Sequence, residues 1–99
     1  MPSTRCHAVV INGNIHRNVI VTYGSRELCC DLAISSFREE VHSTDDFNGA
    51  ILVLPVDTPF DLSAVTLTPL TFSSVLSELA STLPHVEPGR PCRLLFLPL

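Results

Sequence analysis

The sequence predicts an α+β fold. We expect a three-stranded antiparallel β-meander, two further strands and one amphipathic helix packed on one sheet face, in the order β-β-β-β-α-β. Two dipeptides, Asn12-Gly13 and Gly24-Ser25, separate apolar runs in the way that two-residue hairpin turns do. Residues 69–83 repeat apolar side chains at helical spacing. Two more apolar runs, rich in strand-forming residues, follow the meander.

The meander is predicted from the turn residues, because Gly and Asn tolerate the positive φ that tight hairpin turns require. Its strands are expected over residues 6–11, 15–23 and 26–35. Two-residue loops then set the register. In the first hairpin the expected pairs are Val10 with Ile15, Ala8 with Arg17, and Cys6 with Val19. In the second hairpin they are Val21 with Leu28, Val19 with Cys30, and Ile15 with Ile34.

This register predicts one apolar and one mixed face, because side chains alternate along a strand. The expected apolar face carries Cys6, Ala8, Val10, Ile15, Val19, Val21, Tyr23, Leu28, Cys30, Leu32 and Ile34, interrupted by Arg17. The mixed face is expected to meet solvent or a partner. It groups a polar sheet-face cluster made of His7, His16, Asn18, Cys29 and Asp31.

The rest of the chain is expected to complete the sheet and cover it. Residues 37–42 suggest a short helical turn and residues 43–49 a polar loop. Residues 50–56 predict a strand covered on both faces, with Pro55 at its end because proline cannot donate a ladder hydrogen bond. An irregular stretch leads to a helix from Pro69 or Thr71 to Leu83. It would lie on the apolar face of the meander, before a last strand over residues 92–97.

The helix has an apolar stripe formed by Phe72, Val75, Leu76, Leu79 and Leu83. Thr68 or Thr71 is a candidate cap for its first turn. Pro84 cannot continue the helix and marks its end. Burial of this stripe against the meander predicts that helix and sheet form one folding unit.

The 99-residue chain is acidic, with ten Asp and Glu residues against six arginines and a formal net charge of −4. The arginines form no basic stripe, so the sequence does not favour nucleic-acid binding. No uncharged apolar run reaches the roughly 18–20 residues that cross a bilayer, and the first residues lack a signal-peptide pattern. We therefore expect a single domain over residues 1–99, without a membrane span, in the cytoplasm or also the nucleus.

The chain contains no lysine, an unusual composition for a globular protein. Nucleotide bias or an overprinted reading frame would explain it. Selection against ubiquitination beside the degradation machinery would explain it too. Both explanations point towards a compact or viral genome, so a viral accessory protein is one interpretation.

The four cysteines are expected to be free thiols in a reducing compartment. Their spacing lacks the C-x2-C pattern of a zinc site, and no cofactor motif is present, so no metal or cofactor is expected. Asp57-Thr58-Pro59 resembles the Asp-Thr/Ser-Gly loop of retroviral aspartic proteases. Proline in place of glycine removes a backbone N–H and restricts φ, so the sequence does not support that activity.

The C-terminal segment is apolar at almost every position and is the strongest indication of an interaction surface. Chain ends fray unless they are held, so this strand is either covered on both faces or docked across an interface. The candidate partner-binding residues are Arg93, Leu94, Leu95, Phe96, Leu97 and Leu99. The sequence thus predicts a non-enzymatic interaction protein that forms a homodimer or binds a protein partner. A carrier of a small apolar ligand or lipid and a thiol- or His-dependent enzyme are the alternatives.

Overall fold

A computed structural model describes residues 3–37 and 45–99. The described residues form the elements β1 (Ser3–Ile11), β2 (Asn14–Thr22), β3 (Ala33–Ser36), β4 (Asp45–Pro55), a 3-10 turn (Leu62–Ala64), α1 (Phe72–Thr82) and β5 (Cys92–Pro98). The sheet has the strand order β3-β2-β1-β4-β5. All neighbouring strands are antiparallel except β1 and β4, which run parallel. The predicted α+β class and element order are confirmed.

The first hairpin forms with the predicted register. Val10 pairs with Ile15, and the predicted pairs further along the two strands are also present. The turn dipeptide adopts the left-handed conformation, with φ of 50° at Asn12 and 79° at Gly13. Asn12 also ties this turn to the segment after the helix, because its amide oxygen accepts from the Val86 N–H at 2.7 Å and its amide nitrogen donates to the Val86 carbonyl. The turn is therefore held by local and long-range contacts.

The second hairpin was predicted wrongly. Val21 pairs with Ile34 instead of Leu28, and Val19 pairs with Ser36 instead of Cys30. The strand covers only four residues, where 26–35 was expected. Gly24 does not adopt a positive φ, so the tight turn that the prediction required is absent. The chain instead makes a longer excursion, which we call the 24–32 loop, before it returns to pair with β2. The predicted pairing of Ile15 with Ile34 is likewise incorrect.

The sheet is covered on both faces, so the prediction of one solvent-facing side is also wrong. The predicted alternation of side chains puts Val9, Ile20 and Cys29 on the mixed face, yet all three are buried. The helix-side core consists of Ala8, Val10, Ala50, Leu52, Leu67, Leu76, Leu79 and Leu97. The loop-side core consists of Cys6, Val9, Val19, Val21, Tyr23, Cys29, Ile51, Val53, Cys92 and Leu94.

A change of face within β1 explains how one sequence pattern serves both cores. Ala8, Val9 and Val10 alternate between the cores, yet Cys6 belongs to the loop-side core and Ala8 to the helix-side core. The β1–β4 register shifts between Cys6 and Ala8, and Asn18 on β2 has a φ of 51°. Such irregularities redirect side chains. The single apolar face predicted for the meander is therefore divided between two cores.

The remaining elements follow the prediction more closely. Residues 50–54 of β4 are buried, as expected for a strand covered on both faces, and β4 ends at Pro55. Strand β4 starts at Asp45, so part of the predicted polar loop is strand. The predicted helical turn at residues 37–42 falls almost entirely outside the described residues. Helix α1 buries Leu76 and Leu79, and β5 covers the predicted strand.

Candidate functional site

The outer edge of β5 is largely closed by the chain's own 24–32 loop. Cys29 and Cys92 exchange two backbone hydrogen bonds, of 2.8 and 2.9 Å, and the Leu94 N–H donates to the Arg26 carbonyl at 2.7 Å. Backbone groups alternate in direction along a strand, so Phe96 is the next residue whose N–H points outward. Pro98 follows and has no N–H to donate. Little of this edge remains for pairing with another chain.

The side chains predicted to contact a partner are mostly engaged within the fold. Leu94 and Leu97 are buried in the loop-side and helix-side cores respectively. The Phe96 ring is covered by the Arg26 guanidinium, whose central carbon lies 3.8 Å from the ring centroid. Arg93 donates from Nη2 to the Thr58 carbonyl, and its Nε is buried without a partner in the described residues.

Leu95 and Leu99 complete the predicted partner-binding set. Leu95 is half-buried and packs against the helix-side core. Leu99 is the exposed member, and its N–H donates to the Asn48 carbonyl at 2.8 Å. The C-terminal strand is thus held in place by its own chain, and its accessible apolar surface is small.

The other end of the sheet presents an open edge, formed by β3. No described residue pairs with the outer side of this strand. On β5, residues facing the loop-side core direct their N–H groups away from the sheet. Strand β3 runs in the opposite direction at the opposite end, and Ile34 packs against the same core. Because backbone direction is linked to side-chain face in L-residues, Ile34 and Ser36 direct their N–H and C=O groups outward.

The structure divides the predicted polar sheet-face cluster between separate places. His7 Nε2 lies 2.8 Å from Asn48 Oδ1, and Asn18 Oδ1 accepts a hydrogen bond from Arg5. Asp31 is elsewhere, where its carboxylate accepts from the Gly24 N–H at 2.9 Å. The predicted cluster depended on the register expected for the second hairpin. In the observed pairing Asp31 lies in the 24–32 loop, before β3, and not opposite β2.

The remaining two members follow the same division. The Cys29 thiol donates to the Asp31 carboxylate at 3.6 Å. His16 is exposed on β2, opposite Val9. Within this cluster Cys29 is bonded to Asp31 and His7 to Asn48, and no hydrogen bond joins Cys29 to either histidine.

A polar cleft of about 200 Å³ surrounds His7 and is lined in part by Arg5, Asn18 and Asn48. Within it, Arg5 donates a hydrogen bond to Asn18, and His7 is hydrogen-bonded to Asn48. Cys6 also lines the cleft, but burial raises the pKa of its thiol to about 11. A thiol with such a pKa is protonated near neutral pH and is a weak nucleophile. Burial therefore leaves the Cys6 thiol unactivated for covalent chemistry.

Helix α1 packs directly against the sheet. Leu76 and Leu79 pack there against the sheet residues of the helix-side core. A second and a third cleft, of about 480 and 230 Å³, lie near the 85–91 segment, and neither is lined by a residue of α1. The arrangement thus offers no support for a ligand carried between helix and sheet.

Two further observations concern the described residues as a group. Across residues 3–37 and 45–99, no three His, Cys, Asp or Glu side chains gather as metal ligands. No helix in those same ranges is long and apolar enough to cross a membrane.

The sequence reasoning missed both decisive features of the sheet edges. Closure of β5 depends on pairing between residues more than 60 positions apart in the chain, for which no local pattern exists. The open strand, Ala33–Ser36, was placed inside a longer predicted strand. Its small and polar residues were the available signal for a short, exposed edge. Comparison with known protein families, with curated proteins and with solved structures finds no match for this chain.

Proposed function

We propose that this protein is a non-enzymatic interaction module that binds an extended strand at the open edge of β3, and that a second copy of the chain supplies that strand. The observation that carries this proposal is the difference between the two sheet edges. Strand β5 is paired with the 24–32 loop and ends at Pro98, whereas the outward backbone groups of β3 have no partner among the described residues. Unpaired edges are templates for strand addition.

The composition of β3 favours a second copy as the occupant. The strand reads Ala-Ile-Ser-Ser, without a charge or a proline. When a strand pairs with itself around a two-fold axis, residues of the same short segment face one another, and like charges within that segment would repel. Strand β3 has no such repulsion. Its four residues alone bury less than the roughly 1,200 Å² of a stable interface, so we expect a weak, concentration-dependent dimer.

The test is a matched pair of substitutions at Ser36, whose side chain is exposed. Ser36→Pro removes the outward N–H and should abolish pairing without removing a bond to β2, since that N–H points away from the sheet. Ser36→Ala keeps the N–H and should behave as the unmodified protein. Sedimentation equilibrium over a range of concentrations measures the average mass. For the unmodified chain it should rise from 10.8 kDa towards twice that value.

Each outcome is informative. A constant mass of 10.8 kDa for the unmodified protein at all concentrations would exclude self-association. Equal association of the unmodified and Ser36→Pro proteins would exclude the β3 edge. Circular dichroism and the urea midpoint of each variant confirm that the fold is retained. Truncation before β5 is unsuitable, because β5 contributes Leu94 and Leu97 to the two cores.

A further inference from the structure

Cys29 and Cys92 face each other across the contact that closes the β5 edge. They form a two-residue antiparallel bridge, and each donates its N–H to the other's carbonyl. Both side chains belong to the loop-side core, with exposed fractions of 1% and 4%. Both are free thiols in this structure. The pair therefore lies on one face of one bridge, within a single apolar environment.

The spacing of such a bridge suits a covalent link. Directly opposed residues that exchange both backbone hydrogen bonds have Cα atoms about 5.5 Å apart. Disulfides form with Cα separations of roughly 4.4–6.8 Å. The Cα spacing of this kind of bridge is therefore within the range that a disulfide spans. Both side chains pack in the same core, and burial, with a smaller effect of the neighbouring Cys29, raises the pKa of Cys92.

We propose that Cys29 and Cys92 are a redox modification site, at which an intrachain disulfide forms by exchange with a low-molecular-weight disulfide. The Cys29 thiolate attacks one sulfur of the small disulfide and expels the other half as a thiolate. Burial raises the pKa of Cys92 to about 11, so the minor thiolate form of Cys92 then attacks the Cys29 sulfur of the adjacent mixed disulfide and expels the second half. The two protein thiols are oxidised, the small disulfide is reduced to two thiols, and the two protons pass to the released thiolates.

The surroundings of the pair allow a small reagent to approach. A cleft of about 230 Å³ is lined by Cys29 and Cys92, together with Cys30. The link would reinforce a contact that now depends on three backbone hydrogen bonds, including the one from Leu94 to Arg26. The disulfide would fasten the 24–32 loop to β5 and hold that sheet edge closed.

The absence of lysine makes the site straightforward to map. Cleavage after arginine, which does not occur before Pro91, separates Cys6, Cys29 and Cys92 into the peptides 6–17, 27–38 and 39–93. Cys30 shares a peptide with Cys29, so the Cys30→Ser variant makes the assignment unambiguous; its side chain is exposed and the fold should tolerate the change. The probe is 2-hydroxyethyl disulfide, added to the folded protein, followed by alkylation and mass spectrometry.

We expect the Cys30→Ser protein to lose the mass of two hydrogen atoms and to yield a linked pair of peptides 27–38 and 39–93. The oxidised form should melt at a higher temperature than the reduced form. The Cys29→Ala variant should not form the link, whereas Cys6→Ala should. A link through Cys6, or only adducts of the probe without a link, would overturn the proposal. The unmodified protein is oxidised in parallel. A link between Cys30 and Cys92 in that protein would also overturn the proposal.

Discussion

Replacement of Leu76 by alanine should cost about 3–5 kcal/mol of folding free energy, the upper part of the range for buried leucines. Leu76 lies in the middle of α1, is 0% exposed and packs in the helix-side core. Truncation removes its transfer free energy and leaves a cavity that the rigid sheet beneath cannot fill. A 99-residue domain has a total stability of roughly 5–15 kcal/mol, so the loss is a large part of the whole.

The chain contains a matched control six residues earlier. Leu70 precedes α1 and is 97% exposed, so the same substitution there should change stability by less than about 0.5 kcal/mol. Equilibrium unfolding in urea measures both variants, with the slope of the transition confirming that the unfolding remains two-state. A difference of less than about 1 kcal/mol between the unfolding free energies of the two variants would refute the packing of α1 against the sheet, because that packing is the main reason for the expected loss.

Substitutions at three other positions test particular features of the fold. Asn12→Gly keeps the positive φ but loses both bonds to Val86, and should lower the urea-derived stability by about 1–3 kcal/mol; Asn12→Ala should cost about 1 kcal/mol more. Gly49→Ala would place a Cβ against the Leu97 carbonyl oxygen, and should lower stability by about 3 kcal/mol or more, measured by thermal melting. Burial raises the pKa of Cys6 from 9.0 to about 11. The unfolded chain therefore loses this proton first, and stability should fall between these pH values. Cys6→Ala should reduce that fall, as measured by urea midpoints at both ends of the window.

The parts of the fold that the sequence predicts correctly are those with local causes. Asn12 and Gly13 both tolerate a positive φ, and both adopt it in the structure. The register of the first hairpin follows from this turn. The helix depends equally on local spacing, because Leu76 and Leu79 fall on one side of α1. In each case the pattern lies within about a dozen neighbouring residues.

The errors arise where distant pairing overrides a local signal. Gly24-Ser25 resembles a hairpin turn, but the 24–32 loop gains hydrogen bonds from Cys29 to Cys92 and from Leu94 to Arg26 that an early return would forgo. The parallel pairing of β1 with β4 likewise joins segments without any sequence pattern in common. This pairing encloses β1 within the sheet. Apolar residues then lie on both faces of the sheet.

The candidate interaction surface was predicted only in outline. An apolar C-terminal strand must be buried, but its composition does not reveal whether its own chain or a partner covers it. The structure shows that the chain itself covers Leu94 and Leu97, which lie in the two cores. The open edge of β3 has a weaker signal, because short strands of small and polar residues resemble loops. A strand lies at the edge of a sheet when no other strand pairs with its outer side, and this depends on the complete topology.

The two sheet edges can be perturbed independently, which separates the redox site from the interaction surface. Strands β2, β1 and β4 lie between β3 and β5, so a disulfide between Cys29 and Cys92 should leave the mass distribution of the protein unchanged. Ser36→Pro should, in turn, leave the disulfide unaffected. If oxidation instead abolishes a dimer that Ser36→Pro retains, then opening of the 24–32 loop exposes the true interface at β5. The Leu94 N–H, released from Arg26, would then be available to a second chain.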